Sequence, residues 1–210
     1  MSAVTATVDE AREHLRVIRQ TMERSTQYST LSGWSGILVG CVAFAGVVAT
    51  WRLQLTGPSS PDSGRLPQVT GHAVLLGIWF AALIAAVTID FVCNKRRARR
   101  VGKHVRSRLG AHIIVAALPG FLTAGVLSLF FLAHGLLPFI WGVWMLCYGA
   151  AICAVGLFSV RAVSILGAAF VLAGAATLLM PVTAGLTMMA ISFGGFHILY
   201  GTTMARKHGW

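Results

Sequence analysis

The chain has 210 residues, of which 56% are hydrophobic and only 11% are Asp, Glu, Lys or Arg. This composition, with a mean hydropathy of +0.76, is too apolar for a soluble domain of that length. The net charge of +11 is attributed to the surface of a membrane rather than to nucleic acid. Basic residues near anionic headgroups each gain about 1 kcal/mol.

The first predicted element is an amphipathic helix over residues 7–24. Thr7 and Glu10 fit a capping box, and apolar side chains then recur at helical spacing while the other faces carry arginines. The helix lies at the headgroup boundary or packs against the ends of the membrane spans, and both alternatives stay open. Residues 1–30 are assigned to this cytoplasmic segment.

Six apolar stretches follow, and they predict an all-α, polytopic membrane helix bundle over residues 31–204. About 20 apolar residues cross the hydrocarbon core of a bilayer. The predicted spans run over about 31–51, 71–93, 109–133, 137–158, 163–180 and 185–204. The last three connections are very short, so the helices that they join are antiparallel neighbours. Residues 205–210 form a basic tail.

Lysines and arginines fall on one side of these spans. The N-terminal segment has four, residues 95–108 have eight, Arg161 adds one and the C-terminal tail adds two, whereas the other side has only Arg52 and Arg65. Because basic residues gather on the cytoplasmic side of a membrane, this fifteen-to-two distribution predicts that both termini are cytoplasmic.

The basic block over residues 95–108 contains no acidic and no aromatic residue. Nucleic-acid binding would call for interleaved aromatic side chains, so anionic lipid headgroups are the predicted partner. The side chains assigned to this binding are Lys95, Arg96, Arg97, Arg99, Arg100, Lys103, Arg106 and Arg108.

Small and aromatic residues predict which surfaces face other helices and which face the interface. Gly36-x-x-x-Gly40 fits a motif for close helix contact, which serves internal packing or dimerisation. Aromatic residues near the span ends are predicted to form the interfacial belt. They are Trp34, Trp51, Trp141, Trp144 and Tyr200.

Ionisable residues inside the spans are the candidate functional groups, because a charge in hydrocarbon is costly. Asp90, His112 and His197 are predicted to lie at one level in the cytoplasmic half, as stations of an ion or proton path. His72 and His134 lie at the outer level. Either histidine pair could ligate a haem. The structural alternative is that His197 bonds across helices while Asp90 pairs with the arginines that follow it.

The chain resembles a widespread family of small bacterial membrane proteins of unknown activity. The resemblance rests on the opening Ile18-Arg19-Gln20-Thr21-Met22-Glu23-Arg24-Ser25-Thr26 with Leu31-Ser32-Gly33-Trp34-Ser35-Gly36, and on the ending Gly195-Phe196-His197-Ile198-Leu199-Tyr200-Gly201 with its basic tail. It implies six spans in a bacterial inner membrane and supplies no functional residues.

Enzymatic chemistry has little support in the sequence. The six carboxylates include one residue inside a span, Asp90, and no pair is placed for acid–base catalysis. We therefore predict a non-catalytic subunit or scaffold of a membrane assembly, as a homo- or hetero-oligomer without a cofactor or metal. The alternatives are a transporter or channel for a small solute, ion or proton, and a haem-binding subunit.

Overall fold

The computed structural model describes His14 and residues 33–56, 66–100 and 108–208, with side chains described for His14, 33–53, 71–100 and 110–206. These residues form helices, and no strand occurs among them. The amphipathic helix predicted over 7–24 lies outside the described residues apart from His14, as do Lys103 and Arg106. The side chain of Arg108 is also outside the described part.

Six stretches of the described residues are long and apolar enough to cross a membrane, which confirms the all-α prediction and the number of spans. The stretches are Gly33–Leu53, Gly71–Arg100, Gly110–His134, Leu137–Gly156, Arg161–Leu179 and Val182–Arg206. The helices are α1 Gly33–Thr56, α2 Leu66–Arg100, α3 Arg108–His134, α4 Ile140–Gly156, α5 Arg161–Leu179, α6 Gly185–Met189 and α7 His197–His208. A π-helical segment, Ala190–Phe196, joins α6 to α7 within the sixth span.

Several helix boundaries differ from the predicted spans, and two of them involve basic residues. α2 continues to Arg100 instead of ending at 93, because no Gly or Pro occurs between 93 and 100 and long basic side chains can extend beyond an apolar layer. α5 begins at Arg161, so this arginine is the first helical residue and not part of the preceding turn. We call one end of the bundle the basic end. It holds the described basic residues of α2 together with Arg161 and Arg206.

The glycines of α1 are contact points within the chain. A Cβ added to Gly36 would lie 2.8 Å from Gly201 Cα and 2.9 Å from the His197 carbonyl oxygen, and one added to Gly40 would lie 2.7 Å from the Gly194 carbonyl oxygen. Only hydrogen at these positions lets the two backbones approach so closely. The Gly36-x-x-x-Gly40 motif therefore packs α1 against the sixth span of the same molecule.

The helices pack as two three-helix units. α1 packs against α2 and α7, which we call the first unit, and α4 packs against α3 and α5, which we call the second unit. Gly149 and Gly167 bring α4 and α5 together, since a Cβ on Gly149 would lie 2.8 Å from the Gly167 carbonyl oxygen. Within the described ranges, α2 and α3 scarcely touch each other.

The two units meet around three tryptophans in the half of the bundle away from the basic end. Trp79 of α2 makes edge contacts with Trp141 and Trp144 of α4, at ring-centroid distances of 5.7 and 6.0 Å. We call these three residues the tryptophan cluster. Trp141 is only 6% exposed and packs inside the bundle, whereas Trp34 and Trp51 are exposed at the two ends of the first span.

Removing the indole N–H of Trp79 is predicted to weaken this meeting point. The indole nitrogen donates to Thr50 Oγ1 at 3.0 Å, and Thr50 is fully buried. Trp79→Phe should lower the free energy of unfolding by about 1–2 kcal/mol, because a buried hydrogen bond and part of a packed ring are lost. Unfolding in mixed micelles measures this change. Trp51→Phe, at a 52% exposed position, is the matched control and should shift the value by less than about 0.5 kcal/mol.

Candidate intramembrane polar site

A hydrogen bond between Tyr148 of α4 and His197 of α7 joins the two units. Tyr148 Oη lies 2.7 Å from His197 Nε2, and His197 Nδ1 lies 2.9 Å from the carbonyl oxygen of Phe193. A carbonyl oxygen only accepts hydrogen bonds, so Nδ1 carries the proton and Nε2 accepts from the tyrosine hydroxyl. Tyr148 therefore keeps its oxygen lone pairs for a further donor.

Asp90 of α2 is the only carboxylate among the described residues. Asn94 Nδ2 donates to Asp90 Oδ2 at 2.9 Å, and the Ser35 side chain of α1 also makes a hydrogen bond to this carboxyl group. The Asp90 side chain is nevertheless exposed on the surface of the bundle. These two hydrogen bonds help to position the carboxylate.

Tyr200 of α7 adds a further polar group on the helix face that holds His197. Within the described part of the chain, its hydroxyl is the one buried side-chain oxygen or nitrogen without a hydrogen-bond partner. Tyr200 lies in the same half of the bundle as Asp90, and α1 packs against both of the helices that carry these residues. An unpaired buried hydroxyl costs about 1–3 kcal/mol, so this position suits a ligand or an ordered water.

These side chains are called the polar cluster, and they come from four spans. On a rise of 1.5 Å per residue, Tyr200 lies about 9 Å and His197 about 14 Å along α7 from Arg206. The polar cluster thus reaches from the basic end to about the middle of the membrane layer. Its members are Ser35, Asp90, Asn94, Tyr148, His197 and Tyr200.

An apolar core closes the bundle beyond the polar cluster. Phe170 is fully buried, and its ring centroid lies 4.6 Å from that of Tyr148 and 5.3 Å from that of His197. Met145 and Met189 are also fully buried in the same core, which continues into the tryptophan cluster. Packed apolar side chains therefore border the polar cluster on the side away from the basic end.

The π-helical segment lies directly before His197. Within it, Ser192 Oγ donates to the Met188 carbonyl oxygen at 2.7 Å and lies 3.0 Å from Met145 Sδ. Gly194 within the segment allows Phe44 of α1 to pack closely, since an added Cβ would lie 2.6 Å from that ring. Segments of this kind are rare and often occur at functional sites.

The remaining predicted histidines lie apart from the polar cluster. His112 stacks on Phe158 at 6.1 Å near the basic end, and His134 stacks on Phe130 at 4.1 Å while its Nδ1 bonds to the carbonyl oxygen of the same residue. His72 lies at the start of the second span. Among the described residues, no ring contact joins His112 to His197 or His72 to His134.

The hydrogen bonds of His197 bear on the predicted haem sites. Both ring nitrogens of His197 are engaged, so this histidine offers no lone pair to an iron. Of the residues that the structure describes, no three His, Cys, Asp or Glu side chains are grouped to hold a metal ion. A haem-binding role stays a prediction, which requires the two histidines of a pair to approach each other.

Sequence reasoning singled out Asp90 and His197 but missed Tyr148 and Tyr200. Tyr200 was assigned to the interfacial belt because it lies near a span end, although its hydroxyl is buried. The available signal was helical spacing, since residues three apart share one face of a helix, which places Tyr200 on the His197 face. Nothing comparable marked Tyr148, whose partner is distant in the sequence.

Comparisons with known proteins add no further constraint: no family model, no curated protein and no solved structure matches the chain.

The two buried tyrosines are predicted to respond oppositely to loss of the hydroxyl. Tyr148→Phe leaves His197 Nε2 without its donor, and should lower the free energy of unfolding by about 1–3 kcal/mol. Tyr200→Phe removes a hydroxyl that has no protein partner, and should leave the stability unchanged or raise it by about 1 kcal/mol. Unfolding of both variants in the same micelles measures the difference. Equal destabilisation by both variants would contradict the assigned hydrogen bonding.

Proposed function

We propose that this protein is a membrane transporter of the carrier type for a small polar solute or ion, with the polar cluster as its binding site. One observation carries the proposal: two spans that both pack against α1 hold an exposed carboxylate, Asp90, and a buried hydroxyl without a protein partner, that of Tyr200, in the basic half of the bundle. Polar and ionisable groups at such depth are costly and mark substrate or ion pathways. A purely structural role would not explain why the buried Tyr200 hydroxyl has no hydrogen-bond partner.

The packing of the bundle supports a carrier rather than an open channel. The polar cluster lies in the basic half and is bordered by Phe170, Met145 and the tryptophan cluster, which fill the opposite half. The two units are each held together by close glycine contacts, and α2 and α3 scarcely touch within the described ranges. Carriers commonly work by rigid-body rocking of one bundle against another around a site near the midplane.

The hydrogen bond from Tyr148 to His197 is a reversible link between those two units. It is the described side-chain bond that joins α4 to α7 at the level of the site, and the π-helical segment next to it is a place where α7 can change its register. Movement of the second unit relative to the first would break this bond and separate Phe170 from His197. The opposite half would then open while the basic half closes.

The proposed setting is the inner membrane of a bacterium, with the basic end in the cytoplasm. The described basic residues of that end include Arg96, Arg161 and Arg206, whereas Arg52 lies at the other, and this asymmetry supports an orientation with both termini inside. Lys95, Arg96, Arg99 and Arg100 are exposed on α2 beyond its apolar part. We expect them to bind anionic headgroups.

Uptake into proteoliposomes tests the proposed function. Purified protein is reconstituted, and initial rates are measured for alkali cations, guanidinium, small amino acids and neutral polyols. Saturable uptake of at least one of these solutes above the rate in protein-free vesicles is the expected result. Uptake that matches protein-free vesicles for every solute would overturn the proposal.

The second candidate function, a subunit of a membrane assembly, is favoured by a different observation. The most apolar window of α3 has no buried residue, and that of α2 is only 6% buried, so both helices leave most of their surface to lipid or to another membrane protein. Native mass spectrometry of protein extracted gently from its own membrane distinguishes the candidates. A stoichiometric heteromeric complex supports the subunit role, and a monomer or homo-oligomer argues against it.

A further inference from the structure

Two cavities lie along the seam between α1 and the sixth span. Their volumes are about 420 and 410 Å³, within the range of about 300–1,000 Å³ that is typical of small-molecule sites. Ala190 lines both of them, so the two cavities adjoin, and together we call them the seam groove. None of the described residues that line it belongs to the polar cluster.

The first cavity is built mainly by the π-helical segment. Four of its six lining residues belong to Ala190–Phe196, and the other two are Phe44 and Leu199. At Gly194 an added Cβ would lie 2.6 Å from the Phe44 ring, whereas at the neighbouring Gly195 it would meet no atom within 4 Å. The segment thus places an open space directly beside a tight contact, and π-helical segments often occur at functional sites.

The lining of the seam groove changes from apolar to polar along the sixth span. The residues that line the first cavity are all apolar, whereas Thr183, Thr187 and Trp51 are among those that line the second. Arg52 follows Trp51 in α1 and is exposed at this same end of the bundle. Asp90, the one carboxylate among the described residues, lies in the other half. The polar end of the groove therefore suits a negatively charged head.

The dimensions of the seam groove fit one long alkyl chain. From Thr183 to Leu199 the span rises by at most about 24 Å, whereas one leaflet offers only about 15 Å of hydrocarbon, half of a bilayer core. A methylene group has roughly the volume of a water molecule in the liquid, about 30 Å³, so the first cavity holds about a dozen of them. Lipid tails are as apolar as the groove, so preference for a ligand depends on close packing and on contacts to its head.

We infer that the seam groove binds a long-chain carboxylate, a single-chain amphiphile of the fatty-acid type. Its chain lies in the first cavity against Phe44 and Gly195, and its head lies at the end that holds Thr187 and Arg52. One seam between two helices takes one chain, which favours this ligand over a two-chain phospholipid. A carboxylate is also matched by hydroxyl donors and a single positive charge. This site lies apart from the polar cluster and does not depend on the proposed carrier function.

Photolabelling of the purified full-length protein in nanodiscs tests the inference. The probe is palmitate with a diazirine near the end of its chain, and labelled residues are located by mass spectrometry of peptides. The comparison surface is α3, where Leu122 and Val126 are 59% and 66% exposed and line neither cavity. Labelling of Phe44 and of residues 190–199 should exceed that of α3 at least roughly 5-fold and disappear with excess unlabelled palmitate. Equal labelling of both surfaces, or labelling that excess palmitate leaves unchanged, would overturn the inference.

Competition identifies the class of the occupant. Phosphatidylglycerol and hexadecyltrimethylammonium, added at the same mole fraction as the unlabelled palmitate, should leave the labelling of the seam groove unchanged. The first competitor is anionic but has two chains, and the second has one chain but a positive head. Competition by phosphatidylglycerol equal to that by palmitate would make the occupant a membrane phospholipid and overturn the inference. Equal competition by the cationic amphiphile would also overturn it, because the head would then not be selected.

Two variants locate the chain and the head. Gly195→Leu fills the first cavity without a clash at its Cβ, and should lower labelling of the groove at least roughly 5-fold. Gly125→Leu on α3, where an added Cβ also meets no atom within 4 Å, is the matched control and should label as the wild type does. Arg52→Gln should raise the palmitate concentration for half-displacement by roughly 3-fold, because an exposed charge pair is weak. Undiminished labelling in Gly195→Leu would overturn the inference, whatever the outcome of the uptake measurements.

Discussion

Gly149→Leu is expected to lower the free energy of unfolding by roughly 3 kcal/mol or more, at the upper end of the cost of overpacking. A Cβ at this position would lie 2.7 Å from the Val171 backbone nitrogen and 2.8 Å from the Gly167 carbonyl oxygen. These atoms belong to the α5 backbone and cannot turn away as a flexible side chain would. The two helices must separate, and the extensive α4–α5 interface of the second unit is lost with them.

Gly125→Leu is the matched control for this substitution. An added Cβ at Gly125 of α3 meets no atom within 4 Å, and the position is exposed. Leucine there faces lipid and is the better helix former by about 1 kcal/mol, so stability should stay within about 1 kcal/mol of the wild type. Unfolding in mixed micelles compares the two variants. A similar loss of unfolding free energy in both variants would mean that α4 and α5 do not pack in the described way.

Asp90→Asn is expected to reduce the initial rate of guanidinium uptake by roughly 10- to 100-fold while the protein stays folded. The substitution removes the charge that balances the solute, and a charge-assisted hydrogen bond contributes about 1.5–3 kcal/mol. Asparagine has nearly the same shape and can still bond to Asn94 and Ser35. The loss should therefore appear in transport and not in the unfolding midpoint.

Two controls separate this effect from a general defect. Thr88→Val lies on the same helix, outside the polar cluster, and should transport at the wild-type rate. Tyr148→Phe should reduce both stability and transport, because it removes the bond between the two units. Wild-type uptake by Asp90→Asn, measured at subsaturating guanidinium, would exclude Asp90 from the path of the solute.

Much of the architecture follows from the sequence because hydrocarbon thickness acts on every span in the same way. The length of each apolar stretch, such as Gly110–His134, is set by the bilayer and can be read without knowledge of any neighbour. The end of α2 was less predictable. Arg96–Arg100 suggested a loop by charge, yet each of these residues is compatible with a helix that extends beyond the apolar layer.

The direction in which each side chain points could not be predicted in the same way. Inside a membrane both the lipid-facing and the helix-facing surfaces are apolar, so hydropathy does not separate them. Trp141 and Trp34 look alike in sequence, but one lies in the core and the other is 48% exposed. Gly36 fitted a contact motif whose partner, Gly201, is far away along the chain.

The polar cluster depends on contacts between distant parts of the chain, which explains why sequence reasoning found it only in part. Asp90 and His197 attracted attention because ionisable residues are rare within spans. His112 is also an ionisable residue within a span, but its described contact is a stack on Phe158. Tyr148 became identifiable only through its bond to a histidine 49 positions away.

Counterflow of labelled guanidinium is the measurement that tests the carrier function most directly. Proteoliposomes are loaded with a high concentration of unlabelled guanidinium and diluted into medium that contains a trace of the labelled ion. A site that opens alternately to the two sides predicts a transient accumulation of label inside the vesicles, above its equilibrium level. A monotonic approach to equilibrium, at the rate seen in protein-free vesicles, would contradict the account.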